Sequence, residues 1–258
     1  MVELPFQTLA GKVAIVTGSS RGLGAVMVTD LAKRGAKVVI TYTSPNSKSK
    51  AEELVKEIKS YGNGADAITV GGDLGKPETP EHIVKQTLEA FGDKIDILVN
   101  NAGIELQKPV TEITADDHDK LYHINVRAPH LMVKAVAPHL RTPARIVNTS
   151  SIGARIGLPN NSLYCSSKSA LEGATRVWAT EFGPKGTTVN CVCPGPVQTD
   201  MLDSLPKELV EDQKKQTPVE KRIGTPQDIA NIVAWLAGPE SGWVSGQCIS
   251  ASGGFSMY

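Results

Sequence analysis

No apolar stretch in the 258 residues reaches the ~20 positions that a membrane-crossing helix needs. The opening MVELPFQTLAGK lacks a basic start followed by a long apolar run, so no secretory leader is expected and a cytoplasmic location is. Excess charge of either sign is missing too. The chain has 27 basic and 27 acidic residues, which argues against a nucleic-acid partner or a charged membrane surface. Cysteine is scarce: four in a chain of this length make no disulfide framework and suit a reducing compartment. Cys191 and Cys193 alternate in the apolar run TTVNCVCPG and read as buried strand residues, with no second pair to complete a metal site. The five histidines are scattered without zinc-ligand spacing, so no metal is expected. Repeats, charge blocks and low-complexity linkers are absent as well, and residues 1–258 read as one domain able to bury a sizeable core.

What the chain does contain is alternation. Short β-branched runs (VAIVT, KVVIT, AITV, IDILV, RIVNTS, TVNCV, GQCIS) take turns with longer helical patterns, which predicts an α/β fold with a parallel sheet wrapped on both faces. VAIVT ends at Thr17 and runs straight into Gly18-Ser19-Ser20-Arg21-Gly22-Leu23-Gly24, with a helix following to about Arg34. Glycines between a first strand and a first helix allow a tight turn and let a pyrophosphate approach free N–H groups; an ordinary Gly-rich turn is the plainer alternative. The second strand leads into Tyr42-Thr43-Ser44 and a helix over about Lys48–Tyr61. NAD-preferring sites commonly carry an acid about 20 residues past the glycines, to hold the ribose 2′-hydroxyl. Here no Asp or Glu occurs from Val38 to Ala51, whereas Arg21, Lys48 and Lys50 could reach a 2′-phosphate, so NADP(H) is the expected cofactor.

Further along, Asp73-Leu74 stands at the end of the third strand, where Asp73 suits a turn as well as an adenine contact. The fourth strand ends in Asn100-Asn101-Ala102-Gly103, small and amide residues equally suited to bracing a loop or walling a cofactor. Glu105 follows, either solvated or near a substrate mouth. One helix is expected from about Ala115 to His139; its Asn125 is either a local back-bond or the holder of a kink and a water beside Lys168. Strand five delivers Ser150 and Ser151, and a helix over Ser162 to about Phe182 puts Tyr164 and Lys168 on one face. A phenol beside an ammonium can exchange protons, but lowering its ordinary value of ~10 by roughly 3 units takes about 4 kcal/mol, so a second cation such as an oxidised nicotinamide is expected to help. Strand six ends in Pro194-Gly195-Pro196-Val197-Gln198-Thr199, and the irregular segment over about 195–224 suits a substrate lid. Thr225-Pro226 then starts a helix, with Thr as cap.

Six of these motifs, in this order and spacing, resemble the short-chain dehydrogenase/reductase family over nearly the whole chain: Thr17–Gly24, Asn100–Gly103, Asn125, Ser151 thirteen residues before Tyr164, Lys168, and Pro194–Thr199. The resemblance implies a single Rossmann-type, doubly wound domain with seven parallel strands in the order 3-2-1-4-5-6-7. It implies that Tyr164 donates the proton to a carbonyl oxygen as hydride arrives, that Lys168 lowers the Tyr164 pKa and bonds the nicotinamide ribose, that Ser151 polarises the carbonyl, and that Asn125 holds a water. It implies a cofactor bed of Gly18, Ser20, Arg21, Gly22, Leu23, Gly24, Tyr42, Thr43, Ser44, Asp73, Leu74, Asn101, Ala102, Gly103, Pro194, Gly195, Val197 and Thr199. A homo-oligomer, tetramer or dimer, is implied too. One departure stands out: the family often has Asp before its last Gly-Gly, where this chain has Ala251-Ser252-Gly253-Gly254. The expected activity is NADPH-dependent reduction of a small-molecule carbonyl, resembling 3-oxoacyl carrier-protein reductases and fungal polyketide or polyhydroxynaphthalene reductases. The competing expectations are an NAD-dependent alcohol or hydroxysteroid dehydrogenase, a reduction-coupled isomerase or cyclase, and a dinucleotide sensor without turnover.

Overall fold

VAIV at Val13–Val16 (β1) is buried at all four positions, as a central strand covered on both faces must be. Alternate side chains enter different cores: Ala14 and Val16 pack on one side of the sheet and Ile15 on the other. The computed structural model describes residues 6–199 and 207–258. The other strands are β2 (Lys37–Tyr42), β3 (Asp66–Gly71), β4 (Ile95–Asn100), β5 (Leu140–Thr149), β6 (Thr188–Pro194) and β7 (Cys248–Ala251). They form one 7-stranded sheet in the order β3-β2-β1-β4-β5-β6-β7, every neighbouring pair parallel. Fold class and strand order agree with expectation. The order reverses between β1 and β4, which opens a crevice at the C-terminal strand ends, where such sheets take ligands.

One face is covered by α1 (Gly22–Lys33) and α2 (Pro45–Lys59) together with the late helix Pro226–Ala237, which contributes Ile229 and Val233 to the core that Met27, Leu31 and Ile58 fill. The other is covered by α3 (Thr79–Phe91), by the segment from Ala115 to His139, and by α6 (Ser162–Phe182) with its buried Leu171 and Trp178. Thr225 caps the late helix as expected: its hydroxyl accepts from the Asp228 N–H, and the Asp228 carboxylate accepts from the Thr225 N–H at 2.7 Å.

Two boundaries differ from the sequence reading. Helix α2 begins at Pro45 rather than near Lys48, because Ser44 and Ser47 cap it reciprocally and Pro45 takes the first turn. The segment from Ala115 is not one helix but α4 (Ala115–Tyr122), a π-helical turn (His123–Arg127), α5 (Ala128–Val136) and a 3-10 turn (Ala137–His139). Pro129 has no N–H to donate to the Asn125 carbonyl, so the regular ladder cannot pass this point and the turn widens. Among the described residues no helix is long and apolar enough to cross a membrane. Of the proposed lid, Lys207–Gln216 is a helix (α7), which makes Pro226–Ala237 α8; the stretch MLDSL lies outside the described residues.

Candidate active site

The turn after β1 is held open by side chains and leaves backbone facing the crevice. Gly18 has φ +64° and Gly22 φ +56°, conformations that side-chain-bearing residues rarely adopt. Gly24 is required by contact: a Cβ there would lie 2.5 Å from the Gly18 carbonyl and 2.6 Å from Asn101 Nδ2. A Cβ on Gly22 would meet nothing within 4 Å, so this part of the turn opens to a ligand. Ser20 and Leu23 lie within it, and Arg21 is exposed at the cap position of α1. Bracing comes from three residues whose hydroxyls the sequence reading did not single out. Thr41 Oγ1 accepts from the Gly18 N–H at 2.8 Å, and Ser19 Oγ donates to the Val16 carbonyl at 2.7 Å. Thr17 Oγ1 accepts from the N–H groups of Asn101 and Ala102, both at 3.0 Å. Asn101 in turn donates to the Thr17 carbonyl at 3.0 Å. The NNAG segment thus braces the loop. The signal that could have found Thr41 is its place at the end of β2, beside the β1 turn.

Across the crevice, β5 and α6 bring Ser151, Tyr164 and Lys168 together with Asn125. Ser151 caps a short 3-10 turn, its Oγ accepting from the Gly153 N–H at 3.0 Å, and its hydroxyl lies close enough to the Tyr164 phenol to favour the phenolate. Lys168 is buried beneath the phenol, with Nζ 5.7 Å from the Tyr164 ring centroid and donating to the Thr149 carbonyl at 2.7 Å. Asn125 is neither solvated nor bonded back along its helix. From the π-helical turn it pairs with the Ile104 backbone, accepting from its N–H and donating to its carbonyl at 2.9 Å each, and it donates to Ser167 Oγ at 3.1 Å. A Cβ on Gly103 would come 3.3 Å from both Asn125 Oδ1 and Lys168 Nζ, so glycine keeps the gap between them clear.

The electrostatics correct one expectation. These residues alone do not draw Tyr164 down: burial pushes it up to about 12, the Ser151 hydrogen bond opposes this, and the charge of Glu105 adds to the rise. Lys168 is drawn down to about 8 by burial, with Cys191 and Cys193 opposing. Because its ammonium is turned to Thr149, it does not bond the phenol. Glu105 is half-buried and accepts from Gln107 Nε2 at 3.0 Å.

The remaining positions line the same rim. Tyr42, Thr43 and Ser44 close β2 at the N-terminus of α2, and Lys48 lies in that helix, paired with Glu52 at 3.7 Å. Asp73 is exposed, its carboxylate accepting from the Gly75 N–H at 2.8 Å as a turn residue, beside buried Leu74. Pro194 and Gly195 end β6; a Cβ on Gly195 would strike Ser252 at 2.8 Å. Ser252 holds the C-terminal turn by accepting from the Ser256 N–H. Val197 pairs with Gly224, which joins the two ends of the lid segment, and Thr199 Oγ1 bonds the Val197 carbonyl at 3.4 Å. Beside this edge lies a cavity of about 490 Å³ lined by Val110, Leu158, Ser162 and Cys165 among others. Leu158, Cys165 and Ser151 Oγ all converge on Gly153.

A family model described as enoyl-(acyl carrier protein) reductase matches residues 18–256. A hydroxynaphthalene reductase-like protein, Arp2 of Metarhizium guizhouense, is 40% identical over 96% of this chain and 96% of its own. Among solved structures, a blue fluorescent protein from a metagenomic library in complex with NADPH is 40% identical with a TM-score of 0.89, covering 97% of this chain and 100% of that one. The angucycline C-6 ketoreductase LanV with bound NADP is 31% identical with a TM-score of 0.89, covering 98% of each chain. With these matches over almost its full length, the chain belongs to the short-chain dehydrogenase/reductase family of oxidoreductases.

Proposed function

We propose that this oxidoreductase is an NADPH-dependent ketoreductase, with Tyr164 as proton donor to the carbonyl oxygen. The observation that supports it best is the shared rim. The hydroxyls of Ser151 and Tyr164 stand near each other over a buried Lys168. The glycine turn, with open space over Gly22, lies on the same sheet edge. The residues suit a dinucleotide: the turn and the α1 N-terminus would take its phosphates. The corner of Tyr42, Thr43 and Ser44 carries no carboxylate, and it sits at the N-terminus of α2, where a helix dipole favours a 2′-phosphate. NADPH and NADP in the two structural relatives point the same way. Asp73 and Leu74 would flank the adenine, Asn101, Ala102 and Gly103 the inner ribose side, and Pro194, Gly195, Val197 and Thr199 the carboxamide. When bound, the nicotinamide supplies the hydride.

The chain's own groups do the rest. Ser151 donates a hydrogen bond to the carbonyl oxygen, polarising it and stabilising the charge that develops there. Tyr164, held as a phenol by burial, is the general acid and gives its proton to that oxygen as the alcohol forms. Lys168 restores the phenol through the gap beside Gly103, where Asn125 Oδ1 can order a water. The apolar cavity beside Ser151 would receive the body of the substrate, a ketone with a bulky apolar or aromatic frame. A biosynthetic tailoring role belongs to the same proposal, in line with the hydroxynaphthalene reductase-like and angucycline ketoreductase relatives, and a homotetramer is proposed with it.

Titration with NADPH and NADH, followed by a nicotinamide-absorbance screen over aromatic ketones, 3-oxoacyl thioesters and steroids, tests this reading. At least ~30-fold tighter NADPH binding is expected, worth about 2 kcal/mol for a well-held 2′-phosphate, with turnover of one ketone class. Equal binding of both nucleotides would overturn the cofactor assignment. Tight NADPH binding without turnover of any carbonyl would favour a dinucleotide sensor.

A further inference from the structure

Three of the four cysteines meet on one face of the sheet, behind the Lys168 end of the site described above. In the register of β6 and β7, Cys191 lies opposite Cys248, and Cys193, two residues on, points to the same face as Cys191. Glu172 reaches this face from α6. Its Oε1 accepts from Cys193 Sγ at 3.3 Å and from Ser150 Oγ at 3.1 Å, while Oε2 accepts from Arg155 Nε at 2.9 Å. The donor atoms of Glu172, Cys193 and Cys248 all lie within 4.8 Å of one another. Glu172 and Cys193 are buried and Cys248 is partly exposed, which leaves a way in.

We propose that Glu172, Cys193 and Cys248 form a binding site for one soft divalent cation of the zinc type, held by two thiolates and one carboxylate oxygen. Tetrahedral zinc with bonds of ~2.3 Å to sulfur and ~2.1 Å to oxygen places its donors roughly 3.6–3.8 Å apart. The three atoms therefore need only small side-chain rotations to close on an ion, and water fills the fourth position. Arg155 completes the design as an outer partner, orienting the carboxylate through the oxygen that the ion does not use. With the ion bound, two thiolates and one carboxylate balance the dication and the Arg155 guanidinium, so the buried cluster carries no net charge. Because Cys193 Sγ donates to Glu172 Oε1, binding displaces at least the Cys193 proton. The other groups facing the cluster are Cys191 on β6, Lys168 on α6 and Tyr258, whose ring stacks on the Arg155 guanidinium at 4.3 Å.

The test is a cadmium titration of the full chain, followed by thiolate-to-cadmium charge-transfer absorption in the ultraviolet, with zinc as competitor. One cadmium per chain is expected, displaced by zinc, with affinity rising at least about tenfold per pH unit near neutrality as the proton is released. Cys193→Ser and Cys248→Ser should each weaken binding by on the order of 100-fold, the usual scale for a lost ligand or partner, while Cys165→Ser leaves it unchanged. Cys248→Ser is a near-isosteric change at a partly exposed position, so it decides the matter even if the buried Cys193 variant fails to fold. Absence of the charge-transfer band, its survival in Cys248→Ser, or an affinity indifferent to pH would overturn the assignment.

Discussion

At the turn after β1, the hydroxyls of Thr17, Ser19 and Thr41 all bond to backbone, and open space lies over Gly22. At the β5–α6 edge of the same rim the roles are exchanged. There the Thr149 carbonyl takes the Lys168 ammonium, and the Ser151 and Tyr164 hydroxyls stand close together. The first arrangement suits holding a phosphate chain without moving. The second keeps titratable groups close together in a partly desolvated place, where burial rather than charge pairing sets their protonation. Binding and chemistry are thereby assigned to separate elements, and substitutions should separate them.

Apart from Tyr164 itself, the largest effect is expected at Ser151. Ser151→Ala removes the donor to the carbonyl oxygen, and kcat at saturating NADPH should fall ~100-fold or more, with the NADPH Kd within about threefold of the parent by fluorescence titration. An equal loss in both parameters would mean that the two regions are not independent. Gly24→Ala should do the opposite. Its Cβ, 2.5 Å from the Gly18 carbonyl, forces the turn to shift. An overpacking cost of about 1–3 kcal/mol is expected there, and NADPH binding should weaken at least ~tenfold while kcat at saturation changes little.

Thr17→Val probes the brace alone. It strips the acceptor shared by two N–H groups, and denaturant unfolding should show about 1–3 kcal/mol of lost stability. The smallest effect is a pH dependence. Lys168 titrates near 8 when folded, below its ordinary 10.5, so between those values the unfolded chain binds more protons and the Lys168 contribution to stability rises with pH. Tyr164, raised from 10.0 to about 12, works against this only above pH ~10. Relative to Lys168→Met, the parent should therefore gain stability as pH rises from 8 to 10; a parallel pair of curves would contradict the burial cost.

Much of this comparison was legible in the order of residues. Strand runs, the glycine turn, the Thr225 cap and the span Ser162–Phe182 follow from local signals, because period, caps and turns act over a few neighbours. Helix α2 was placed late although Ser44-Pro45 marks its start, and the segment with Asn125 read as one helix although Pro129 interrupts it. What could not be read depends on long-range juxtaposition. The Glu105 charge acting on Tyr164, Thr41 catching the Gly18 amide, and Cys248 joining Glu172 and Cys193 all require the sheet to be assembled. The rise at Tyr164 is not legible for the same reason, since burial is a property of the packed edge, and it agrees with the expectation that Lys168 alone does not draw the phenol down.

The central claim, that Tyr164 is the proton donor in a site where nucleotide binding is carried elsewhere, is tested most directly by Tyr164→Phe, with NADPH binding and single-turnover reduction measured on the same preparation. The account predicts an NADPH Kd within about threefold of the parent and a reduction rate lower by on the order of 10³. Single-turnover reduction at the parental rate would contradict it.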